Sequence, residues 1–232
     1  QDLLLIAQIA EASGDSETAE TAYRRLLARP QQGASHGETD QGSLVTQATS
    51  GLVHLLLQQR KYSEAEALLK SALPGDSGDP TLHAQLATVL IAEGKNDEAL
   101  PVLEKLSQLK PNDPAVEQML ADAYSQAGHP DKADPLYAAM ARARPNDGEV
   151  LIAQGRNLIL ETHYLQAQEV LERAVKLKPE DGDAWSGLAF ASLQNKQYST
   201  TLQALSMRAK FLPETAASYF LWATTYDNLH QS

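Results

Sequence analysis

The sequence contains no cysteine, few aromatic residues and no long apolar run. Without cysteine the chain has no disulfide, no thiolate nucleophile and no thiolate metal site. Its apolar stretches, such as residues 3–7, are far too short to span a bilayer, so no membrane insertion is predicted. A content of 43% hydrophobic and 21% charged residues in a chain of 232 instead indicates a folded, globular protein.

Positive charge is also in short supply. Nineteen Lys and Arg residues stand against thirty Asp and Glu residues, which gives a net charge of −11. Proteins bind nucleic acids largely by neutralising phosphates with basic side chains. The excess of acidic residues therefore predicts that neither DNA nor RNA is a partner.

The residue patterns of common active sites are missing as well. No complete P-loop or regular calcium-binding loop occurs in the sequence, and an array of helical hairpins has no strained strand-to-helix turn to hold the nucleophile of a Gly-x-Ser-x-Gly elbow. No two histidines stand four residues apart, as the His-Glu-x-x-His zinc motif requires; the six are His36, His54, His83, His129, His163 and His230. We therefore predict no metal, no cofactor and no catalytic residue, and a protein that is not an enzyme.

What the sequence does contain is a repeat of 34 residues. Five blocks align without a gap, at 46–79, 80–113, 114–147, 148–181 and 182–215. One column holds mainly small residues: Ala65, Ala99, Ala133, Ala167 and Thr201. Another holds large ones: Leu69, Leu103, Tyr137, Leu171 and Leu205. Small residues opposite large residues at fixed offsets are what closely packed helices require.

Helix-ending and helix-starting residues recur at the block boundaries. Prolines that cannot continue a helix stand near the end of four blocks, at Pro111, Pro145, Pro179 and Pro213. Aspartates able to accept hydrogen bonds from the first amides of the next helix follow at Asp79, Asp113, Asp147 and Asp181. A second break lies near the middle of each block, so the sequence predicts a helix-turn-helix unit for every repeat.

This pattern resembles the tetratricopeptide repeat (TPR) family in its bacterial form. The block from 148 carries the family's motif residues Leu151, Gly155, Tyr164, Ala167, Leu171, Ala174 and Pro179. The next block departs from the motif, with Thr201 and Arg208 in place of alanines. The resemblance implies an all-α, right-handed α–α superhelix, a TPR solenoid of about six to seven helical hairpins.

The resemblance also suggests how the domain is divided. We expect a single solenoid domain over residues 1–232, in which residues 1–30 form a degenerate repeat and residues 31–45 a loop insertion. The five regular repeats follow, and residues 216–232 form a half repeat or truncated cap. The absence of cysteine and the start at Gln1 favour a periplasmic or secreted protein, cut from a longer chain, over a cytoplasmic one.

The resemblance to the TPR family implies a non-catalytic scaffold. In that family the first helices of the repeats line a concave groove, which binds a peptide or helix of a partner protein. Residues at equivalent offsets give the expected partner-binding set: His54, Asp122, Ile152, Arg156, Ile159, Phe190, Leu193 and Phe220. These side chains would offer apolar anchors around one cation, unless they pack against the adjacent helix and Asp122 neutralises Arg156.

Two alternative functions follow from the ends of the sequence. Tyr219, Trp222 and Tyr226 lie on a last helix without a second helix to cover them, so they predict self-association into a homodimer through the C-terminal end. The segment would otherwise be a regulatory or targeting module of a larger protein or enzyme.

Overall fold

A computed structural model describes residues 2–28, 38–73 and 78–230. Within these ranges the chain forms thirteen α-helices and no β-strand, which confirms the predicted all-α class. The chain divides into two compact units, Gln1–Val116 and Glu117–Ser232. The single domain expected over residues 1–232 stays a prediction.

The helices of the first unit pair with their sequence neighbours. They are α1 (Asp2–Ala12), α2 (Ser16–Leu27), α3 (Glu38–Gln58), α4 (Tyr62–Ala72), α5 (Pro80–Ala92) and α6 (Asn96–Leu109). The first helices of successive hairpins also contact each other, α1 with α3 and α3 with α5. Each hairpin therefore buries its apolar surface against the next one, as a stacked repeat requires.

The second unit has the same organisation. Its helices are α7 (Pro114–Gln126, whose first three residues belong to the first unit), α8 (Pro130–Ala143), α9 (Gly148–Leu160), α10 (Tyr164–Leu177), α11 (Gly182–Gln194), α12 (Tyr198–Arg208) and α13 (Ala216–His230). The first helices again contact each other, α9 with α11 and α11 with α13. No helix in the described part of the chain is long and apolar enough to cross a membrane.

The repeat columns predicted from the sequence form the cores. Ala65, Ala99, Ala133 and Ala167 are fully buried, and Leu103 and Leu171 of the large column are buried with them. Small side chains let the helices approach closely, and the large side chains fill the remaining space. The predicted alternation of small and large packing positions is confirmed.

Aspartate caps begin the first helices, as the sequence predicts. The Asp79 carboxylate accepts hydrogen bonds from the backbone amides of Thr81 and Leu82, at 2.8 and 3.3 Å. Asp113, Asp147 and Asp181 cap their helices in the same way. Such a cap contributes about 0.5–2 kcal/mol to the stability of its helix.

The turn inside each hairpin uses a left-handed residue at the same position of the repeat. Gly94 and Gly128 have φ near 75° and 81°. The equivalent residues in other repeats are not glycine, yet they adopt the same conformation: Arg60 (φ 58°), Thr162 (φ 62°) and Lys196 (φ 60°). This backbone requirement fixes where the Lys196 side chain leaves the end of α11.

The predicted loop at 31–45 is partly wrong. Residues 31–37 lie outside the described part of the chain, whereas residues 38–45 belong to helix α3. Leu44, Val45 and Thr46 are half-buried, and the Thr46 hydroxyl donates a hydrogen bond to the Asp79 carboxylate at 2.9 Å. Because Gly42 and Ser43 are exposed, the polar composition that suggested a loop is compatible with the solvent-facing start of a helix.

Candidate partner-binding groove

A groove of about 490 Å³ opens between α11 and α13 of the second unit, beside the start of α12. Its apolar lining consists of Phe190, Leu193, Ala217, Phe220 and Leu221. Its polar lining consists of Gln194, Lys196, Tyr198, Thr224 and Asn228. The groove therefore has an apolar floor with polar groups around it.

The apolar side chains of the groove differ in exposure. Leu193 is buried, with 8% of its surface exposed, and Phe190 packs edge-on against Tyr164 with 6.0 Å between ring centroids. Phe220 on the opposite side is 68% exposed. Leu193 and Phe190 thus form a fixed floor, while Phe220 presents a large apolar surface to solvent.

A buried arginine network sets the position of α13, and hence the width of the groove. Arg208, at the end of α12, donates through Nη2 to the carbonyl oxygen of Pro213 at 3.0 Å. Its Nη1 lies 3.4 Å from the Glu214 carboxylate, which also accepts a hydrogen bond from Ser218. The Ser218 amide donates to Thr215 Oγ1 at 3.2 Å and so caps α13. Arg208 therefore connects α12 to the loop and the first turn that lead into α13.

The departures from the TPR motif are accommodated by hydrogen bonds. Thr201, in place of an alanine, is fully buried, and its Oγ1 lies 3.0 Å from Ser192 Oγ. The same oxygen donates to the carbonyl of Gln197 at 3.1 Å. Polar residues can replace the alanines here because each polar atom has a partner.

The charged group in the groove is not the one predicted from the sequence. Of the described residues that line it, only Lys196 carries a charge, and its ammonium forms no ion pair with the residues that the structure describes. Arg156, the predicted cation, pairs instead with Asp183 at 3.3 Å, in an exposed ion pair of little strength. The repeat column of left-handed turn residues is the sequence signal that could have located Lys196.

Asp122 does not neutralise Arg156. Its Oδ1 accepts a hydrogen bond from the Tyr137 hydroxyl at 2.6 Å. Burial raises the pKa of the Asp122 carboxyl above its ordinary value, and the bond from Tyr137 offsets only part of this shift. Asp122 is thus occupied in a contact between α7 and α8, outside the groove lining.

The remaining predicted partner-binding residues are divided between the groove and the cores. Phe190, Leu193 and Phe220 line the groove together. Ile152 is buried in the core with 3% of its surface exposed, because α11 covers it, and it lies outside the groove lining. Ile159 is half-buried against the same core.

His54 lies in the first unit, on α3. Its Nε2 is 2.8 Å from Gln58 Nε2 and 3.9 Å from the Glu11 carboxylate. The imidazole is 58% exposed. His54 is therefore a surface residue of that unit, and it does not belong to the lining of the groove.

The residues predicted for self-association lie on α13. Tyr219 and Tyr226 are 63% and 47% exposed. Trp222 is half-buried against the core and stacks on Tyr226, with 5.9 Å between ring centroids and 13° between the planes. In the part of the chain that the structure describes, no group of three side chains is placed to hold a metal ion.

Stacked helical hairpins with a groove between their first helices define a helical-repeat protein. Two tetratricopeptide repeat models match the sequence, one at residues 56–115 and 90–156 and the other at residues 4–80 and 152–209. The chain belongs to the tetratricopeptide repeat family, whose fold is that of a protein–protein interaction scaffold. A search of curated proteins finds no significant match.

Solved structures of TPR proteins resemble this chain closely in fold. A TPR protein from Parabacteroides merdae has a TM-score of 0.73 at 15% identity, over 99% of this chain and 86% of that one. MamA from Desulfovibrio magneticus RS-1 has a TM-score of 0.67 at 19% identity, over 72% of this chain and 94% of that one. YrrB, described as a TPR protein with an unusual peptide-binding site, has a TM-score of 0.65 at 18% identity, over 75% of this chain and 89% of that one. At these identities the likeness establishes the fold, the predicted TPR solenoid.

Proposed function

We propose that this protein is a non-catalytic scaffold whose groove between α11 and α13 binds an apolar segment of a partner protein, as an extended peptide or a helix. The groove itself carries the proposal. Its volume of about 490 Å³ lies in the range of specific binding pockets, and its floor is apolar. TPR proteins generally bind other proteins and do not catalyse reactions.

The charge of the groove suggests the chemistry of the segment. Lys196 is a cation beside an apolar floor, in a chain whose net charge is −11. A carboxylate on the partner, from an acidic side chain or a C-terminus, would pair with this ammonium. Large apolar side chains of the partner would contact Phe190, Leu193 and Phe220, since anchors in such pockets supply most of the binding energy.

The likeness to YrrB agrees with this class of ligand, because that protein has a peptide-binding site on the same fold. The groove needs no large rearrangement to admit a segment, because Leu193 and Phe190 are held by packing. A rigid site loses little conformational entropy on binding. A regulatory or targeting role in a larger protein would use the same groove.

Selection from two libraries of random peptides, one with free and one with amidated carboxyl termini, tests the proposal. We expect the selected peptides to combine large apolar residues with a carboxylate. Their affinity should fall about 10–100-fold in Phe220→Asp, which removes an anchor contact, and less in Lys196→Glu. Leu165→Asp is the matched control, because Leu165 is equally exposed, at 64%, on α10.

Two results would contradict the proposed site. One is a set of selected peptides that bind Phe220→Asp as tightly as the unmodified chain. The other is an equal loss of affinity in Leu165→Asp, which would mean that exposed apolar residues bind the peptides without specificity. A third result would refute the role of Lys196 but not the groove as the site. In that result the selected peptides contain no carboxylate, and Lys196→Glu binds them as tightly as the unmodified chain does.

A further inference from the structure

Helix α13 has three faces with different environments. On one face, Ser218 and Thr225 are buried against the rest of the second unit, and Leu221 and Trp222 pack against the core of that unit. The groove face carries Ala217, Phe220, Leu221, Thr224 and Asn228. The third face, which we call the free face, is exposed along its whole length; it carries Tyr219, Ala223, Tyr226 and His230, at the i, i+4, i+7, i+11 spacing of one helix side.

From the free face we infer that two copies of this chain associate through α13, which packs antiparallel against α13 of the second copy. This surface is separate from the groove, so it goes beyond the proposed function. The partner is a second copy because the spacing and the charge of the free face both suit self-pairing.

The spacing of the free face is the same in both directions along the helix. The intervals are four, three and four residues, so a twofold axis between positions 224 and 225 places Ala223 opposite Tyr226 and Tyr219 opposite His230. A twofold interface requires this self-complementary order, in which residue i meets residue j and j meets i. The small side chain of Ala223 leaves room for the ring of Tyr226, which Trp222 holds in place by stacking.

Charge also favours a second copy on this face. The sequence of α13 contains no Lys or Arg and a single acidic residue, Asp227, whereas the chain as a whole has a net charge of −11. Two copies repel each other wherever their acidic surfaces approach. The free face is a place where they can meet with little repulsion, and its lack of charge offers nothing to a strongly basic or acidic partner.

The area available predicts a weak dimer. At about 200 Å² for a whole tyrosine side chain, exposures of 63% and 47% leave roughly 220 Å² of aromatic surface on each copy. Even with the neighbouring alanines, the two copies together would bury well under the roughly 1,200 Å² of a standard specific interface. We therefore expect association that depends on protein concentration.

Sedimentation equilibrium of the whole chain over a roughly hundredfold range of concentration tests the inference. The average mass should rise toward that of a dimer, and Tyr226→Glu and Tyr219→Glu should each remove most of this rise. Phe220→Glu, on the groove face of the same helix, and Leu165→Glu, on α10, should leave it unchanged. A monomer at every concentration, or equal dimerisation in the tyrosine variants, would overturn the inference.

Cross-linking gives a second readout that does not depend on a disruptive substitution. Because the chain lacks cysteine, Ala223→Cys introduces a unique thiol on the free face. A short bis-maleimide should link two copies of this variant, and Leu165→Cys should link at least tenfold less. Equal cross-linking of the two variants would mean that the copies meet by random collision, which contradicts the inferred interface.

Discussion

The guanidinium of Arg208 donates through Nε to the hydroxyl of Ser186 at 3.1 Å, and so joins the end of α12 to α11. Arg208 is 7% exposed, and the motif has alanine at its position. The same side chain binds the carbonyl of Pro213, ahead of α13. A single buried arginine thus connects all three helices around the groove.

Replacing Arg208 should destabilise the second unit specifically. Arg208→Ala removes these hydrogen bonds and opens a space in a buried site, so we expect a loss of about 2–4 kcal/mol in the free energy of unfolding. Arg208→Lys keeps the charge without the planar set of donors, so its free energy of unfolding should fall by a smaller amount than that of Arg208→Ala. Both tryptophans, Trp185 and Trp222, lie in this unit, so their fluorescence during urea unfolding measures its stability. An unchanged midpoint in Arg208→Ala would contradict the role of the network.

Gly155, on α9, should tolerate no added methyl group. A Cβ there would lie 2.5 Å from Leu171 Cγ, a fully buried atom in the core. We expect Gly155→Ala to cost about 1–3 kcal/mol by overpacking. Gly42→Ala is the control: Gly42 is helical and exposed, with nothing within 4 Å, so alanine should stabilise its helix by up to about 1 kcal/mol. Thermal unfolding followed by circular dichroism compares the two, and equal effects would refute the packing explanation.

Glu66 should make the first unit sensitive to acid. Hydrogen bonds from Lys70 first, and then from Lys95 at 2.7 Å, lower the pKa of the Glu66 carboxyl from 4.5 to about 2. Because the folded-state pKa is lowered, the stabilisation is present above pH 4.5 and is lost as the pH falls toward about 2.

Glu66→Gln removes this titration while keeping the size of the side chain. The variant should be less stable than the unmodified chain at neutral pH, and the difference should shrink as the pH falls from 4.5 toward about 2. Urea unfolding at a series of pH values, followed by circular dichroism, measures it. Parallel stability curves for the two chains would show that Glu66 is not responsible for the acid sensitivity.

The sequence predicts the repeat architecture well because that architecture depends on local, repeated signals. The Asp79 cap and the buried Ala65 each follow from the residue type at a fixed offset, and the turn at Gly94 lies at the break predicted inside its block. The helical start of α3 was missed because its exposed Gly42 and Ser43 look like loop residues without the contact of Thr46 to Asp79.

The site was predicted less completely, because burial depends on the neighbouring helix as well as on the offset. Ile152 and Phe220 occupy the same offset of the repeat, yet α11 covers Ile152 whereas Phe220 is exposed on the last described helix. Similarly, the pairing of Arg156 with Asp183 joins side chains from two repeats, and no local pattern specifies it. The repeat places Lys196 in the turn after α11, but only the packing of α13 beside that turn makes Lys196 part of the groove lining.

Hydrogen exchange in the presence of a selected peptide tests the binding claim most directly. We expect slower exchange in the second half of α11, the following turn and α13, which together line the groove, and unchanged exchange in α10. Phe220→Asp should abolish the protection at the same peptide concentration. Protection centred on α10, or protection that persists in Phe220→Asp, would contradict the groove as the binding site.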